Sequence, residues 1–124
     1  MRLVLLLGIL SSLALAHHSY GDYDRTAAVV MQGTVTKIMW GNPHVLVTMD
    51  TPKGEYLVEW WALGQLSRQG ITASPIQVGD RVSVTAAANR NPEKHILTLV
   101  RKIDRPADHW QWLDDRKTPV PAKP

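Results

Sequence analysis

The chain has 124 residues, a formal net charge of +3 and no cysteine, and tryptophan occurs five times where phenylalanine is absent. Without cysteine it has no disulfides, no thiolate metal site and no cysteine nucleophile. The small net charge is scattered along the chain, which argues against nucleic-acid binding because that function needs clustered Lys and Arg. This length is typical of a single domain.

Residues 1–16, MRLVLLLGILSSLALA, have the pattern of a secretory signal peptide. Arg2 supplies the positive charge, an apolar run follows, and Ala14-Leu15-Ala16 forms a small-x-small cleavage site. The apolar run is shorter than the roughly 20 residues of a membrane span. We expect cleavage after Ala16, a periplasmic or secreted mature chain that begins at His17, and no stable membrane insertion.

Residues 17–28 form a polar lead-in without apolar periodicity, and five later segments alternate apolar and polar residues as strands do. Gly33 lies inside the first of these segments and indicates a bulge or a bend. A short helix is predicted over 62–69, because Gly70 is a typical residue after a helix C-terminus. The five predicted strands are 29–40, 44–50, 55–61, 81–87 and 95–103.

The order of three strands, a short helix and two strands predicts an all-β domain over residues 29–105. A long first strand with a bend fits a small five-stranded OB-like barrel, and an open β-sandwich or meander is the alternative. In an OB barrel the loops at 41–44 and 88–94 flank the usual binding surface. Residues 106–124 are rich in Pro and Lys, and we expect a mobile tail there.

The segments HHSY at 17–20, GTVTKIMWGNPHVLV, LSRQGI and VGDRVSV resemble a family of small exported bacterial proteins known only as a domain of unknown function. The resemblance covers about residues 17–103, and its most specific marks are His17-His18-Ser19 and Asn42-Pro43-His44. Tyr20 stands where an aromatic residue, often Phe, is expected. The resemblance implies a small periplasmic β-barrel. It implies no activity and no catalytic residue.

Two histidine positions suggest a metal site. Cleavage would give His17 a free α-amine, and this amine and the imidazole Nδ1 of the same residue can chelate one ion. His44, in a turn, can supply a distant imidazole, and His18 is the local alternative. Nitrogen-rich tetragonal sites favour Cu(II), and zinc is less favoured without cysteine. The simpler interpretation is a polar turn residue and an unstructured N-terminus.

A second set of residues outlines a ligand surface, made of Trp40 and Asn42 beside the first loop, Trp61 on the outward side of the third strand, and His95 after the other loop. Core filling by tryptophan and a solvent-facing strand-end histidine are the simpler interpretations. No serine lies in a nucleophile-elbow motif and no glycine-rich phosphate loop occurs, so we predict a non-enzymatic module.

Three functions therefore remain open from the residues alone. The first is an exported module that binds copper or a similar transition metal through His17, His18 and His44. The second is a metal-free module that holds a peptide, glycan or other envelope partner with the loops at 41–44 and 88–94. The least favoured is a metal-dependent redox enzyme at the same histidines.

Overall fold

The computed structural model describes residues 20–116, so the predictions for the signal segment, His17 and His18 lie outside the described residues. The described part is built from six β-strands, one α-helix and three short 3-10 helices. The 3-10 helices are Tyr20–Asp22, Pro92–Lys94 and Pro106–Asp108. The other elements are β1 Val29–Met39, β2 Leu46–Thr51, β3 Gly54–Glu59, α1 Leu63–Arg68, β4 Arg81–Ala88, β5 Ile96–Arg105 and β6 Trp110–Leu113.

The first five strands close into a barrel, which confirms the predicted OB-like fold. β1 pairs with β4 through its first half and with β2 through its second half, and Thr34 has a partner in both strands. β2 also pairs with β3, and β4 also pairs with β5, both in the antiparallel direction. A short parallel pairing of β3 with β5, Leu57 opposite Ile96 and Val58 opposite Leu97, completes the circle.

Gly33 lies where β1 passes from one partner strand to the other. A Cβ atom placed there would lie only 2.5 Å from the backbone oxygen of Asp50, so any larger residue would push β2 away. The register shift expected at Gly33 lies slightly later, between Val35 and Lys37. The glycine therefore permits close approach of two strands, and the bulge itself follows it.

The barrel interior is filled by alternating strand residues and by tryptophan. Val47, Met49 and Val58 are almost completely buried, and Leu66 of α1 belongs to the same core. Trp60 is 1% exposed and contacts Trp112 edge-to-face, with ring centroids 5.3 Å apart. Tryptophan therefore supplies the large aromatic volume that phenylalanine supplies in other cores.

Residues 106–113, which the composition assigns to a mobile tail, form a 3-10 helix and β6. β6 pairs with the second half of β5. Trp112 is buried, and its indole N–H donates a 2.7 Å hydrogen bond to the Gln69 side chain. Arg105 holds the turn before β6, because its guanidinium bonds both Asp80 and Asp108 at about 3 Å. The sheet thus extends past the predicted end of the barrel at residue 105.

Trp61 is buried, 5% exposed, although strict alternation along β3 predicts an outward position. Trp60 N–H donates to the Val45 oxygen, and Val45 N–H donates to the Trp61 oxygen. Two residues therefore oppose one, as in a β-bulge, and the bulge interrupts the alternation. Trp112 and the Arg116 guanidinium, 4.8 Å and 3.9 Å from the Trp61 ring, then cover it.

Between residues 20 and 116, no helix is both long and apolar enough to cross a bilayer.

Candidate functional site

His44 ends the loop between β1 and β2 and is half-buried. The loop contains a cis peptide bond between Asn42 and Pro43. The next residue, Val45, is fully buried and is hydrogen-bonded to the bulge at Trp60 and Trp61. Because adjacent residues of an extended strand face opposite sides, this register places His44 on the outer side of the barrel.

Glu59 lies on the outer face of β3, between two inward residues, Val58 and Trp60. Its backbone pairs with Leu46 of β2. Its carboxylate accepts a 3.5 Å hydrogen bond from the Thr98 hydroxyl of β5, which is long for such a bond. Glu59 is half-buried and Thr98 is almost fully buried, so this part of the outer face is shielded from solvent.

The polar lead-in docks on the barrel at the β4–β5 loop. Tyr23 forms an isolated β-bridge with Asn89. The Asp22 backbone oxygen accepts a 2.7 Å hydrogen bond from the Arg90 backbone N–H. The Arg90 guanidinium donates to the Gly21 backbone oxygen at 3.3 Å. The lead-in therefore continues the sheet for a short distance before β1 begins.

Tyr23 connects the lead-in to the face that carries Glu59. Burial raises the pKa of Tyr23, the negative charge of Glu59 raises it further, and a hydrogen bond with the Asn89 side chain opposes these effects. The phenol group therefore lies within electrostatic reach of the Glu59 carboxylate. The sequence analysis named neither residue as a site residue, and the available signal for Tyr23 was that it is one of two tyrosines in a polar segment.

His95 lies toward the opposite end of β3 and is engaged in packing. Its Nδ1 is 3.1 Å from the Glu55 backbone oxygen, and its ring stacks on Tyr56 with centroids 4.5 Å apart and planes 5° apart. Glu55 and Trp60, the residue just after β3, are five positions apart, or about 17 Å in an extended chain. The structure therefore does not bring His95 together with His44.

The three other residues of the predicted ligand surface are distributed differently. Trp40 is half-buried, and its ring lies edge-on to Trp60 with centroids 6.2 Å apart. Asn42 is exposed in the same loop. Trp61 is buried and does not contribute surface. The first loop thus keeps two of the predicted ligand-surface residues accessible.

Within residues 20–116, no group of three or more His, Cys, Asp or Glu side chains is placed to hold a metal ion. The described part of the lead-in begins at Tyr20, three positions after His17.

Comparison with solved structures finds two partial similarities to one protein. One is the crystal structure of apo TiaS, a tRNAIle2 agmatidine synthetase, with 19% identity over 63% of this chain, 18% of that chain and a TM-score of 0.47. The other is a ZRD-deleted mutant of TiaS in complex with agmatine, with 22% identity over 63% of this chain, 21% of that chain and a TM-score of 0.44. The matched region thus spans only about a fifth of either structure's length.

No curated protein matches this chain. A family model does match it, over residues 6–98, and that range includes most of the barrel, the lead-in and the first loop with His44. The match covers more than half of the 124 residues. The chain therefore belongs to DUF6152, a family of unknown function.

Proposed function

We propose that this protein is an exported binding module of the bacterial envelope that binds a transition metal, copper first among them. Export rests on the signal-like residues 1–16 and the small-x-small site that ends at Ala16. The binding groups are the His17 α-amine and imidazole together with the His44 imidazole. His18 is the local alternative for one of the imidazoles.

The chemistry of these groups suits Cu(II). An α-amine has a reference pKa of about 7.7–8.0, low enough to lose its proton to a metal near neutral pH. The amine and Nδ1 of one residue form a chelate, and a third nitrogen completes a T-shaped set. Such tetragonal nitrogen sites favour Cu(II), which also has the highest affinity among the divalent first-row metals.

The observation that carries the proposal is the docking of the lead-in, with Tyr23 within electrostatic reach of Glu59. His17 is six residues from Tyr23, and Tyr20–Asp22 within this stretch form a 3-10 helix, so it spans less than the roughly 20 Å of six extended residues. Glu59 pairs with Leu46, and His44 lies just before β2, next to the bulge at Trp60 and Trp61. The proposal requires that the stretch before Tyr23 runs toward this end of the outer face.

A Cu(II) titration followed by EPR tests the proposal, on protein whose N-terminus mass spectrometry confirms as His17. Two variants remove the proposed ligands: His44→Ala, and a chain extended by one residue before His17, which converts the amine into an amide. We expect each to weaken copper binding more than about tenfold and to reduce the nitrogen hyperfine structure.

The matched control is His109→Ala, because His109 is exposed in a turn before β6 and lies outside the proposed site. It should bind copper like the parent protein. If the extended chain and His44→Ala also bind like the parent, this metal site does not exist.

One observation favours a second candidate, a metal-free module for an envelope peptide or glycan. Met39, beside half-buried Trp40 and exposed Asn42, is 51% exposed at the first loop. A peptide and glycan array, probed with EDTA-treated protein, tests this function. Met39→Glu should abolish a genuine signal, and Val30→Glu, at a 64% exposed position on the other half of β1, should not. The absence of any EDTA-resistant signal would refute it.

A further inference from the structure

A small cavity lies on the outer face of the barrel, where β1 pairs with β4 and the turn before β6 begins. Its volume is about 70 Å³, and it is lined by Gln32, Gly33, Arg81, Val82, Ser83 and Pro106. We propose that this cavity binds the carboxylate group of a small organic acid. The inference is independent of the proposed metal site and concerns a different part of the barrel.

The register of β1 and β4 brings three polar side chains to the cavity. Gly33 is opposite Val82, which is buried in the barrel interior. Their neighbours Gln32, Arg81 and Ser83 therefore face outward, because side chains alternate along a strand. Gln32 is directly opposite Ser83, a pairing with Cβ atoms about 4.5–5.5 Å apart. Arg81 is two residues from Ser83, or about 6.6 Å, so one small group can contact all three side chains.

Arg81 is the charged side chain of this cavity. It is exposed, and its guanidinium has no hydrogen bond or ion pair with the other described residues. The nearby Arg105 guanidinium differs, because it is engaged by both Asp80 and Asp108 at about 3 Å. The Arg81 guanidinium therefore keeps its N–H donors available for an anion from solution.

The acidic residue that the register places beside the cavity is already neutralised. Asp104 of β5 is opposite Ser83, and its carboxylate lies 3.0 Å from the Lys102 ammonium group. An anion in the cavity would therefore meet the positive charge of Arg81 next to a compensated ion pair. This arrangement favours an anionic ligand over a cation or a neutral molecule.

The size of the cavity limits what part of a ligand can enter it. A volume of about 70 Å³ corresponds to about two water molecules at roughly 30 Å³ each. A planar carboxylate fits this space and can accept two parallel hydrogen bonds from the guanidinium fork of Arg81. The Ser83 hydroxyl and the Gln32 amide can donate to it as well. A tetrahedral phosphate is bulkier and matches the space less well.

NMR titrations on the mature chain, prepared without metal, test the proposal. The probes are acetate, the neutral analogue acetamide, and phosphate, all at equal ionic strength. We expect acetate to shift the Gly33 and Ser83 amide signals in a saturable way, acetamide to shift neither, and phosphate to bind more weakly. If acetate shifts neither amide, the cavity binds no carboxylate. If phosphate binds as tightly as acetate, the carboxylate assignment is wrong.

Arg81→Gln removes the charge and the fork, and Arg68→Gln is the matched control at an exposed arginine of α1. We expect Arg81→Gln to weaken acetate binding about tenfold or more, because hydrogen bonds to charged groups are the strong ones. Arg68→Gln should bind like the parent. Thermal unfolding verifies that both variants fold. Parent-like binding by Arg81→Gln, or an equal loss in Arg68→Gln, would overturn the proposal.

Two larger carboxylates distinguish the possible sources of the group. N-acetylglycine represents the C-terminus of a peptide, and galacturonate represents an acidic sugar. Binding of either one more tightly than acetate, with the same loss in Arg81→Gln, supports the proposal and identifies the rest of the ligand. Binding of acetate without either larger acid supports a free small acid as the ligand.

Discussion

His44 and His95 are the two histidines that flank the β2–β3 face, and they are placed very differently. The His95 ring lies flat on Tyr56, and its Nδ1 is bonded to the backbone of Glu55. His44 follows a cis-proline turn and precedes Leu46, the residue that pairs with Glu59. The same residue type thus has a packing role at one end of β3 and lies beside a binding loop at the other.

This contrast shows that a position in a usual binding loop does not by itself make a histidine a ligand. The His95 ring already has one nitrogen bonded to the backbone and one face stacked on Tyr56, and these contacts fix its orientation on the barrel. At the other end, the bulge at Trp60 and Trp61 fixes Val45 and therefore the start of β2. His44 and His95 therefore differ in the backbone and side chains that surround them.

The largest expected change in the free energy of unfolding concerns the tryptophan cluster that packs next to the His44 loop. Trp112 of β6 packs against Trp60 and Trp61 and bonds Gln69. Trp112→Ala should lower the free energy of unfolding by about 3–5 kcal/mol, because it leaves a large cavity. Urea denaturation measures this change. A loss of no more than about 0.5 kcal/mol, the usual range at a surface position, would mean that β6 does not belong to the core.

Replacing each of the two histidines by alanine tests whether they have different roles. His95→Ala should lower the free energy of unfolding by about 1–2 kcal/mol, because it removes a stacked ring and a hydrogen bond, and it should leave copper affinity unchanged. His44→Ala should do the reverse and weaken copper binding. Denaturation and copper titration on both variants give the comparison. Equal copper affinities for His95→Ala and His44→Ala would show that the two histidines do not differ in metal binding.

A smaller effect is expected at the lead-in. Tyr23→Phe removes the hydrogen bond to Asn89 and should weaken docking by about 0.5–1.5 kcal/mol. Hydrogen–deuterium exchange at the Asp24 amide, which donates to the Ala88 oxygen, measures this local opening. Exchange as slow as in the parent would show that the Tyr23 hydroxyl does not hold the lead-in.

The lead-in should also respond to alkaline pH. Because the folded state raises the pKa of Tyr23, its contribution to stability is complete below the unfolded value of about 10 and is lost as pH rises through the folded value. Tyr23→Phe should lack this dependence. The Asp24 amide protection, compared between parent and variant by pH jump, provides the measurement. A parallel alkaline loss in both proteins would assign the effect to another group.

The smallest effect is expected at the turn before β6. The Arg105 guanidinium holds the pKa of Asp108 below its ordinary value. This contribution is present above the unfolded pKa of about 3.9 and is lost as pH falls through the lower folded value. Asp108→Asn should remove that part of the acid dependence without affecting the lead-in. An unchanged acid transition would contradict it.

Much of the barrel follows from local sequence. Alternating apolar residues predict all five barrel strands to within two residues at every end, and Gly70 correctly marks the region where α1 ends. These features are local, since strand period and turn chemistry act over a few residues. His44 was also predicted in the loop where it is found.

The remaining features depend on contacts between distant segments. The residues around β6 are rich in Pro and in charged side chains, which does not predict a core strand. Trp112 is buried because its ring packs against Trp60 and Trp61 and its indole N–H bonds Gln69. The bulge that buries Trp61 breaks a regular alternation, and nothing in the local pattern of β3 indicates it. Tertiary structure alone decides both, because burial depends on which surfaces meet.

The sequence by itself determined the fold class, the strand order and the loop that carries His44, because alternation and turn residues act locally. Only the tertiary structure decided that the lead-in docks on the β4–β5 loop and that His95 is used for packing. It also brought the Thr98 hydroxyl of β5 to the Glu59 carboxylate of β3. These outcomes depend on how the barrel closes, which brings residues more than thirty positions apart onto one face.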